Sequence, residues 1–468
     1  MTINPTPTIR IDGIAQTCDA VDHLGRPVLD GDRGTMLDSV LIRWGRSSIW
    51  ETPPPAVASA TLFDPGGVVI PYIRDGSIYR KRFSVEINPP TGRTTLFLGF
   101  ITNISVTERT METSRGHVTG WMLHLIATDQ RILLRTRPMT LNMAAQTYSA
   151  RLASVRYRTT QAGIGLTWRT WSNFDTMPLY ASTYTGDQDG FLAAMAATTG
   201  DHHQFVPDGP GIHLIQTVPA AGTSAVLMDL GDGATTIRAI DTNQTLDGQV
   251  WTGTTLDGCQ VARTTAADMD SQATDQVNQW SVRYGEQNTN VETIRSDPAA
   301  GAGDPARVVE YRTWLAGVGP ASEVADELQR RGMAEGRGPH HPPVEVSTTP
   351  DRGFASWTQA AAILRTWEEP QPIALTGSPW TRATGFSLTH VIQGGDLQFT
   401  RGRWRHKLKL RRTRGAQAVG FKTRWNHLPA TDLRWGADPS AGRYFIPSIT
   451  WADLGAGTWS LPVAPPQE

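Results

Sequence analysis

The sequence has few of the features that assign a chain to a disulfide-rich, membrane or nucleic-acid-binding class. Its two cysteines, Cys18 and Cys259, are too few for a disulfide framework and lack the CxxC spacing of a zinc site. No apolar run approaches 18 residues, and the first residues lack the basic start and apolar core of a signal peptide. A formal net charge of −1 gives no overall attraction to polyanions. We therefore expect a chain without a membrane span, synthesised and folded in the cytoplasm with reduced cysteines.

The common motifs of catalysis and cofactor binding are also missing. No GxxxxGK[ST], HExxH, GxSxG or calcium-loop pattern occurs. Two histidine pairs invite a metal: His202 and His203 after Asp201, and His340 and His341. Adjacent residues on a strand point to opposite faces, so each pair is a poor bidentate ligand. We expect no metal, no cofactor and no enzymatic activity.

What the sequence does have is glycine, proline and alternating apolar residues, which are typical of a loop-rich β protein. It contains 45 Gly and 31 Pro against only 19% charged residues. Between residues 40 and 106, side chains alternate with period two, which predicts a half-buried antiparallel sheet in a barrel or sandwich. We expect its core to include Trp44, Phe83, Phe100 and Trp121.

Helical patterns interrupt the strands. Residues 144–163 and 187–200 have helical spacing and end at glycine, which predicts a small α/β insertion. Strands resume after residue 226, with further helices predicted at 318–336 and 355–369.

The order of four segments resembles a known family. These are the WGR of Trp44 to Arg46, a strand ending in LFD at Asp64, the basic-aromatic SIYRKRFSVEI of residues 77–87, and LGFITNISV at 98–106. This order is similar to the opening barrel of siphophage minor tail proteins, the hub proteins of the tail tip. They are related in fold to the trimeric baseplate hubs of contractile phages. The resemblance spans roughly residues 36–412, and the short aromatic motifs after residue 416 are similar to those of actinobacterial phage tail genes.

The resemblance implies a mainly β fold with inserted α/β pieces and two tandem β-barrel domains of the tail-hub type. It also implies a homotrimer whose barrels form a pseudo-hexameric ring at the virion tail tip. Partners would be the distal tail protein, the tape measure protein and other minor tail proteins. The predicted parts are an N-terminal arm (1–35) that pairs with a neighbour, a first β-barrel (36–135), an inserted α/β domain (136–225), a second β-barrel (226–415) with a helical insertion at about 300–370, and a C-terminal docking extension (416–468).

The candidate site residues are basic or aromatic. Arg405, Lys407, Lys409 and Arg411 alternate with Trp404, His406, Leu408 and Leu410, so the basic row is predicted to point away from the core. It would contact an acidic neighbour subunit or, without base specificity, passing genomic DNA. Alternatively, it protects a solvated edge strand. Three tryptophans of the C-terminal extension, Trp425, Trp435 and Trp451, are candidates for a subunit interface or for glycan stacking.

Three functions remain open from the sequence. The first is a structural tail-tip protein that joins the tail tube to the tip and helps form the channel for genome delivery. The second is a tail-borne cell-wall hydrolase, which an assay on peptidoglycan would reveal. The third is a receptor protein for host glycans, which binding by the isolated C-terminal piece would reveal.

Overall fold

The structure is a computed structural model that describes most of the chain up to residue 412. The described residues are 3–12, 14–18, 35–46, 50–90, 92–113, 116–161, 165–168, 175–200, 202–205, 211–215, 226–229, 236–239, 244–246, 249–251, 259–260, 277–286, 291–296, 308–335, 343–348, 354, 357–364, 371–376, 388–400 and 402–412.

Strands dominate the described part, as predicted. They are β1 (Thr8–Ile11), β2 (Ala15–Cys18), β3 (Thr35–Gly45), β4 (Val57–Asp64), β5 (Arg82–Ile87), β6 (Thr94–Thr113), β7 (Gly116–Asp129), β8 (Pro138–Met143), β9 (Gln146–Thr147), β10 (Gly165–Trp168), β11 (Pro178–Leu179), β12 (Ser182–Asp187), β13 (His202–Phe205), β14 (Gly211–Ile215), β15 (Val226–Asp229), β16 (Thr236–Ala239), β17 (Gln244–Leu246), β18 (Gln249–Trp251), β19 (Cys259–Gln260), β20 (Gln279–Tyr284), β21 (Val291–Ser296), β22 (Val308–Arg312), β23 (Val344–Ser347), β24 (Gln371–Thr376), β25 (Leu388–Thr400) and β26 (Arg403–Arg412). The helices are α1 (Ile70–Arg74), α2 (Arg131–Arg135), α3 (Tyr148–Gln161), α4 (Gln188–Thr198), α5 (Val318–Glu335) and α6 (Trp357–Leu364). No helix within these ranges is long and apolar enough to cross a membrane.

One large sheet joins strands from both ends of the chain. Its order runs β19-β16-β15-β24-β25-β3-β2-β1-β5-β6-β7-β4, with β26 between β25 and β23. Because β4 also pairs with β3, the pairings from β3 through β2, β1, β5, β6, β7 and β4 return to their starting strand. β4 runs along one edge of β3 between Met36 and Arg43, so β25 and β2 share the other edge.

Because β25 and β2 share this edge, the two tandem barrels expected from the sequence are not confirmed as separate units. β25 pairs with β3 from Ser39 to Gly45, so β2 pairs with β3 only at Thr35 and Met36. Strands of residues 36–135 and 226–415 therefore lie in one continuous sheet. The alternation in β3 and β25 predicted which side chains face the core but not which strand lies beside which. The period of two residues is the same whichever antiparallel strand is the neighbour.

Residues 8–11 also differ from the expected arm. Instead of reaching a neighbour, they form β1, which pairs with β5 of the same chain along Ile9–Val85 and Ile11–Phe83. Ile9 and Ile11 are 1% and 2% exposed, so this short strand belongs to the core. Four residues between turn signals were too few to show a periodic pattern.

The large sheet packs its apolar face onto a core that both ends of the chain supply. Strands β1 and β3–β7 contribute aliphatic and aromatic side chains, together with Val69 and Ile78. The remainder comes from β23, Phe354, α6, β25 and β26. Trp44 and Phe83 are buried there as predicted, whereas Phe100 and Trp121 are half-buried. In β6, the buried apolar residues are Leu96, Phe97, Leu98 and Ile101, and bulges at Val85/Glu86 and Ile101/Asn103 shift which side chains face inward.

A second core lies beside the first and combines the α/β insertion with later strands. Helices α3 and α4 of the insertion pack with β20, β22 and α5, so residues between 134 and 200 share this core with residues between 277 and 328. Trp280 and Tyr148 are fully buried within it. The α/β character predicted for residues 136–225 is present in the described part of that range.

Candidate assembly surface

The face of the large sheet opposite its core spans six strands and carries mainly polar side chains. We call it the outer face and define it by the rows of residues that the register places side by side on β7, β4, β3, β25, β26 and β23. None of these side chains is buried. At about 4.8 Å between strands, the face is roughly 24 Å wide. The rows are His124, Thr61, Ser39, Thr400 and Arg403; Ile126, Ser59, Leu41, Gln398 and Arg405; and Thr128, Val57, Arg43, Asp396, Lys407 and Glu345.

Charges of opposite sign alternate along the third row. Asp396 on β25 lies directly opposite Arg43 on one side and Lys407 on the other, and Lys407 lies opposite Glu345. The Asp396 carboxylate is 4.0 Å from Arg43 Nε, and Arg405 Nε donates to Glu345 Oε1 at 2.6 Å. Directly opposed charges of opposite sign stabilise neighbouring strands. The positive and negative charges of this row therefore largely compensate each other, which argues against binding of DNA or another polyanion at this row.

The basic row predicted from the sequence points outward, as expected, at the three positions whose side chains the structure describes. Arg405 and Lys407 are exposed, Lys409 is half-buried, and Trp404, His406, Leu408 and Leu410 are buried. Arg411 lies in β26, but its side chain is outside the described residues. Since β26 pairs with β25 and β23, it is not an edge strand over residues 405–408. Trp425, Trp435, Trp451, His340 and His341 also lie outside the described residues.

Glycines allow the two ends of the chain to meet at this surface. A Cβ on Gly45, where φ is +75°, would stand 2.1 Å from the carbonyl oxygen of Gln393. A Cβ on Gly395 would stand 2.9 Å from His406 Nε2 and 3.1 Å from Trp44 Nε1. Only glycine accommodates such approaches, so Gly45 and Gly395 permit the β3–β25 pairing.

Directly beneath the outer face, a buried histidine connects three elements. Trp44 Nε1–H donates to His406 Nε2 at 3.3 Å, and His406 Nδ1 lies 2.9 Å from the carbonyl oxygen of Ile363 on α6. This arrangement requires the neutral ring with its proton on Nδ1. Burial lowers the pKa of His406 to about 4, although its hydrogen bond to Ile363 acts in the other direction.

A two-stranded ribbon extends from the edge of the outer face. β4 ends at the Asp64–Trp121 pair, and beyond it β6 and β7 pair with each other up to Thr113–Gly116. We call residues 109–120 the ribbon. Among its described residues, 109–113 and 116–120, all are exposed or half-buried apart from Thr113 and Gly120. A lone two-stranded hairpin is marginally stable in water, so this element gains from a neighbouring surface.

The strongest cluster of ionisable groups in the described residues lies away from the outer face. Asp189, near the start of α4, accepts hydrogen bonds from Arg131 Nε at 2.8 Å and NH2 at 3.0 Å, and from Arg135 Nε at 2.9 Å. His203 Nε2 lies 2.7 Å from the same carboxylate. Burial opposes ionisation, but the hydrogen bonds from His203 and Arg131 outweigh it and hold the pKa of Asp189 well below its usual range.

These groups connect α2 and β13 to α4 through the carboxylate of Asp189. Burial lowers the pKa of His203 to about 4, so it is neutral at pH 7 and donates to Asp189. Nearby, both carboxylate oxygens of Asp129 accept backbone N–H groups, from Ala56 and Arg131, and burial raises its pKa to about 6. Because Asp189 is occupied by four donors from its own chain, we interpret the cluster as a structural junction. No group of three or more metal-ligating residues occurs in the described chain.

The sequence indicated only two residues of the outer face as site residues. Arg405 and Lys407 were identified from alternation in one strand, whereas Arg43, Asp396 and Glu345 were not. Their role depends on the register between strands hundreds of residues apart, which a period-two pattern does not encode.

Comparisons with known proteins give structural similarity without sequence similarity. No protein-family model and no curated protein matches the sequence. A tail protein from Neisseria meningitidis MC58 is similar at 11% identity, with 89% of this chain and 99% of that chain covered and a TM-score of 0.49. The 43 kDa tail protein of prophage MuSo2 from Shewanella oneidensis is similar at 8% identity, with 87% and 97% covered and a TM-score of 0.46. A type VI secretion system component from Escherichia coli, described as similar to the T4 bacteriophage tail proteins gp27 and gp5, has 9% identity, 87% and 77% coverage and a TM-score of 0.41. All three TM-scores are below 0.5, and the similarity concerns the fold alone.

Proposed function

We propose that the protein is a structural component of the tail tip of a long-tailed phage. In this role it joins the tail tube to the tip and helps form the channel for genome delivery. The observation that carries the proposal is the outer face, a wall of six strands supplied by both ends of the chain. Its mainly polar side chains and the opposed charges of its third row suit the lining of a passage or the contact with a neighbouring subunit. The resemblance of residues 36–412 to siphophage tail hubs points to the same role.

The domain organisation is part of the proposal. The strand pairings that run from β3 through β1 and β7 to β4 and back to β3 support a first barrel. β25 is attached to it by pairing with β3. Residues 226–415 would supply the second barrel-like unit, and residues 416–468 would dock on neighbouring tail proteins.

The working unit is a homotrimer in this proposal. The ribbon supports it, because residues 109–113 of β6 and 116–120 of β7 form a two-stranded extension in the described structure, and such a hairpin would gain stability by lying against a second copy. A closed ring also covers strand edges that would otherwise aggregate. Further partners would be the distal tail protein, the tape measure protein and other minor tail proteins.

The proposal is tested by locating the protein in the particle that contains it. A small tag is added after Glu468, virions are purified, and gold-labelled antibody is imaged by electron microscopy. Label confined to the tail tip is expected. Label on the capsid, or absence of the protein from purified virions, would overturn the proposal.

A parallel assay addresses the alternative functions. The full chain is incubated with purified peptidoglycan, and released soluble fragments are measured. No release above a buffer control is expected for a purely structural protein. Release by the wild-type chain would show that the tail-borne hydrolase is the better description.

A further inference from the structure

A second basic surface lies where α1 leads into β5, and it borders the outer face. Arg82 on β5 lies opposite Phe100 on β6, which in turn lies opposite Thr128 of the third row. We call residues 74–82 the basic loop. It carries Arg74, Arg80, Lys81 and Arg82 against one carboxylate, Asp75, whereas the whole chain has a net charge of −1. The three arginines are exposed and Lys81 is half-buried. No ion pair between these four cations and a carboxylate is found in the described chain.

The loop is held in one shape by its own hydrogen bonds. Ile78 is fully buried, and its N–H donates to the carbonyl of Tyr72 at 3.0 Å. The N–H of Lys81 donates back to Ile78, and the Arg80 N–H donates to Ile101 on β6 at 3.0 Å. Asp75 is turned to the backbone, since Ser77 N–H donates to its carboxylate at 2.8 Å. The basic side chains are therefore presented from a fixed base.

Two features distinguish this loop from an ordinary solvated surface. Arg80 is the one non-glycine residue in the described chain with a left-handed backbone, at a φ of +65°. Such a conformation costs energy in a residue with a Cβ, and residues of this kind cluster at functional sites. Beside it, Tyr79 leaves 47% of its surface exposed although it is a large aromatic residue.

We propose that the basic loop binds the sugar-phosphate backbone of nucleic acid without sequence specificity. Arginine guanidinium groups form paired hydrogen bonds with phosphate oxygens, and an exposed aromatic ring provides a stacking surface for an unpaired base. The third row of the outer face is less suited to phosphate, because its cations already lie opposite carboxylates. The inference does not depend on the proposed function, because it rests on the charges, exposure and backbone conformation of residues 74–82 alone.

The test is binding of the full chain to labelled DNA by fluorescence anisotropy. The probes are a single strand and a duplex of about 20 nucleotides, at salt concentrations from about 50 to about 200 mM. The wild-type chain is expected to bind with a dissociation constant of about 1–100 μM that weakens as salt rises. Binding that is absent at low salt, or insensitive to salt, would overturn the inference.

Variants identify the surface. In the triple variant Arg74→Gln, Lys81→Gln and Arg82→Gln, the slope of log affinity against log salt should decrease by about 3, with binding weakened at least about 10-fold at the lowest salt. The control removes three exposed arginines elsewhere, Arg137→Gln, Arg156→Gln and Arg158→Gln, two of which flank the exposed Tyr157. Residues two apart on α3 do not face one direction, so this control should bind as the wild type does. Equal loss in both variants would show a general charge effect and overturn the assignment.

Arg80→Gly separates binding from folding. Glycine adopts a φ of +65° without steric cost, so the folded loop should remain and the melting temperature should stay within a few degrees. DNA binding should weaken several-fold. A polyglutamate competitor completes the design: displacement of DNA at the same concentration of charges would indicate an acidic protein partner and overturn the nucleic-acid assignment.

Discussion

At the scale of single residues, the structure depends on ionisable groups held in their uncharged or fully paired forms. His406 and His203 are buried and neutral, with pKa values lowered to about 4. Asp189 is buried and ionised because four donors surround it. These side chains link elements distant in sequence, so their protonation is coupled to folding.

Acid should therefore destabilise the fold through these histidines. A pKa that burial lowers below the unfolded value of about 6.5 stabilises the fold fully above pH 6.5, and this contribution is lost as pH falls toward 4. His406→Gln should reduce the loss in unfolding free energy between pH 7 and pH 5 by about 2 kcal/mol relative to wild type. Asp129, with its pKa raised to about 6, acts in the opposite direction in both proteins and cancels in the comparison. Urea denaturation at the two pH values measures the difference; equal losses would argue against a neutral His406.

Removing the charge of Asp189 should have a large effect at any pH near neutrality. Asp189→Asn leaves Arg131 buried with an uncompensated charge, which costs roughly 3–5 kcal/mol. Thermal denaturation compared with Glu323→Gln, an exposed site on α5, is the measurement. A loss below about 1 kcal/mol would mean that the network is not a structural junction.

At the scale of elements, strand register determines what each side chain can do. The alternation of β26 was readable in the sequence, and its buried and exposed faces are as predicted. Its pairing with β23 was not readable, because the choice of partner depends on glycines and bulges in other strands. The same limit explains Phe97, which replaced Phe100 in the core after a bulge in the β5–β6 pairing.

The alternating charges of the third row of the outer face give a prediction at this scale. Lys407→Glu places three carboxylates side by side on β25, β26 and β23, and directly opposed like charges are destabilising. We expect a loss of about 1 kcal/mol that decreases in high salt, whereas Lys407→Gln should cost less. Urea midpoints at two salt concentrations measure it. An unchanged midpoint for Lys407→Glu would indicate that Asp396 and Glu345 do not face this side chain.

The ribbon can be shortened without touching the core. Replacing residues 110–119 by a two-residue Asn-Gly turn removes pairs that β6 and β7 make only with each other in the described structure. The chain should remain folded, with near-unchanged circular dichroism, but its self-association should weaken at least about 10-fold. Sedimentation velocity over a range of concentrations gives the result, and an unaffected oligomer would exclude the ribbon from the interface.

At the scale of the whole molecule, the chain should associate. Three copies of the 51.1 kDa chain give a mass of about 153 kDa, which native mass spectrometry distinguishes from a monomer or dimer. The mainly β class and the α/β insertion were predictable from composition and periodicity. The shared core was not, because contacts between distant residues leave no local pattern in the sequence.

The pairing of β3 with β25 has a consequence for synthesis. Trp44 and His406 hydrogen-bond across 362 residues of sequence, so the edge of β3 must wait for nearly the whole chain to be made. At about 5–20 residues per second, this wait is roughly 20–70 s. During that time, an apolar strand with unpaired backbone groups is present on the ribosome, where another nascent copy can pair with it. The N-terminal half is thus the part of the protein for which chaperone occupancy during translation, and the speed of translation, should determine yield.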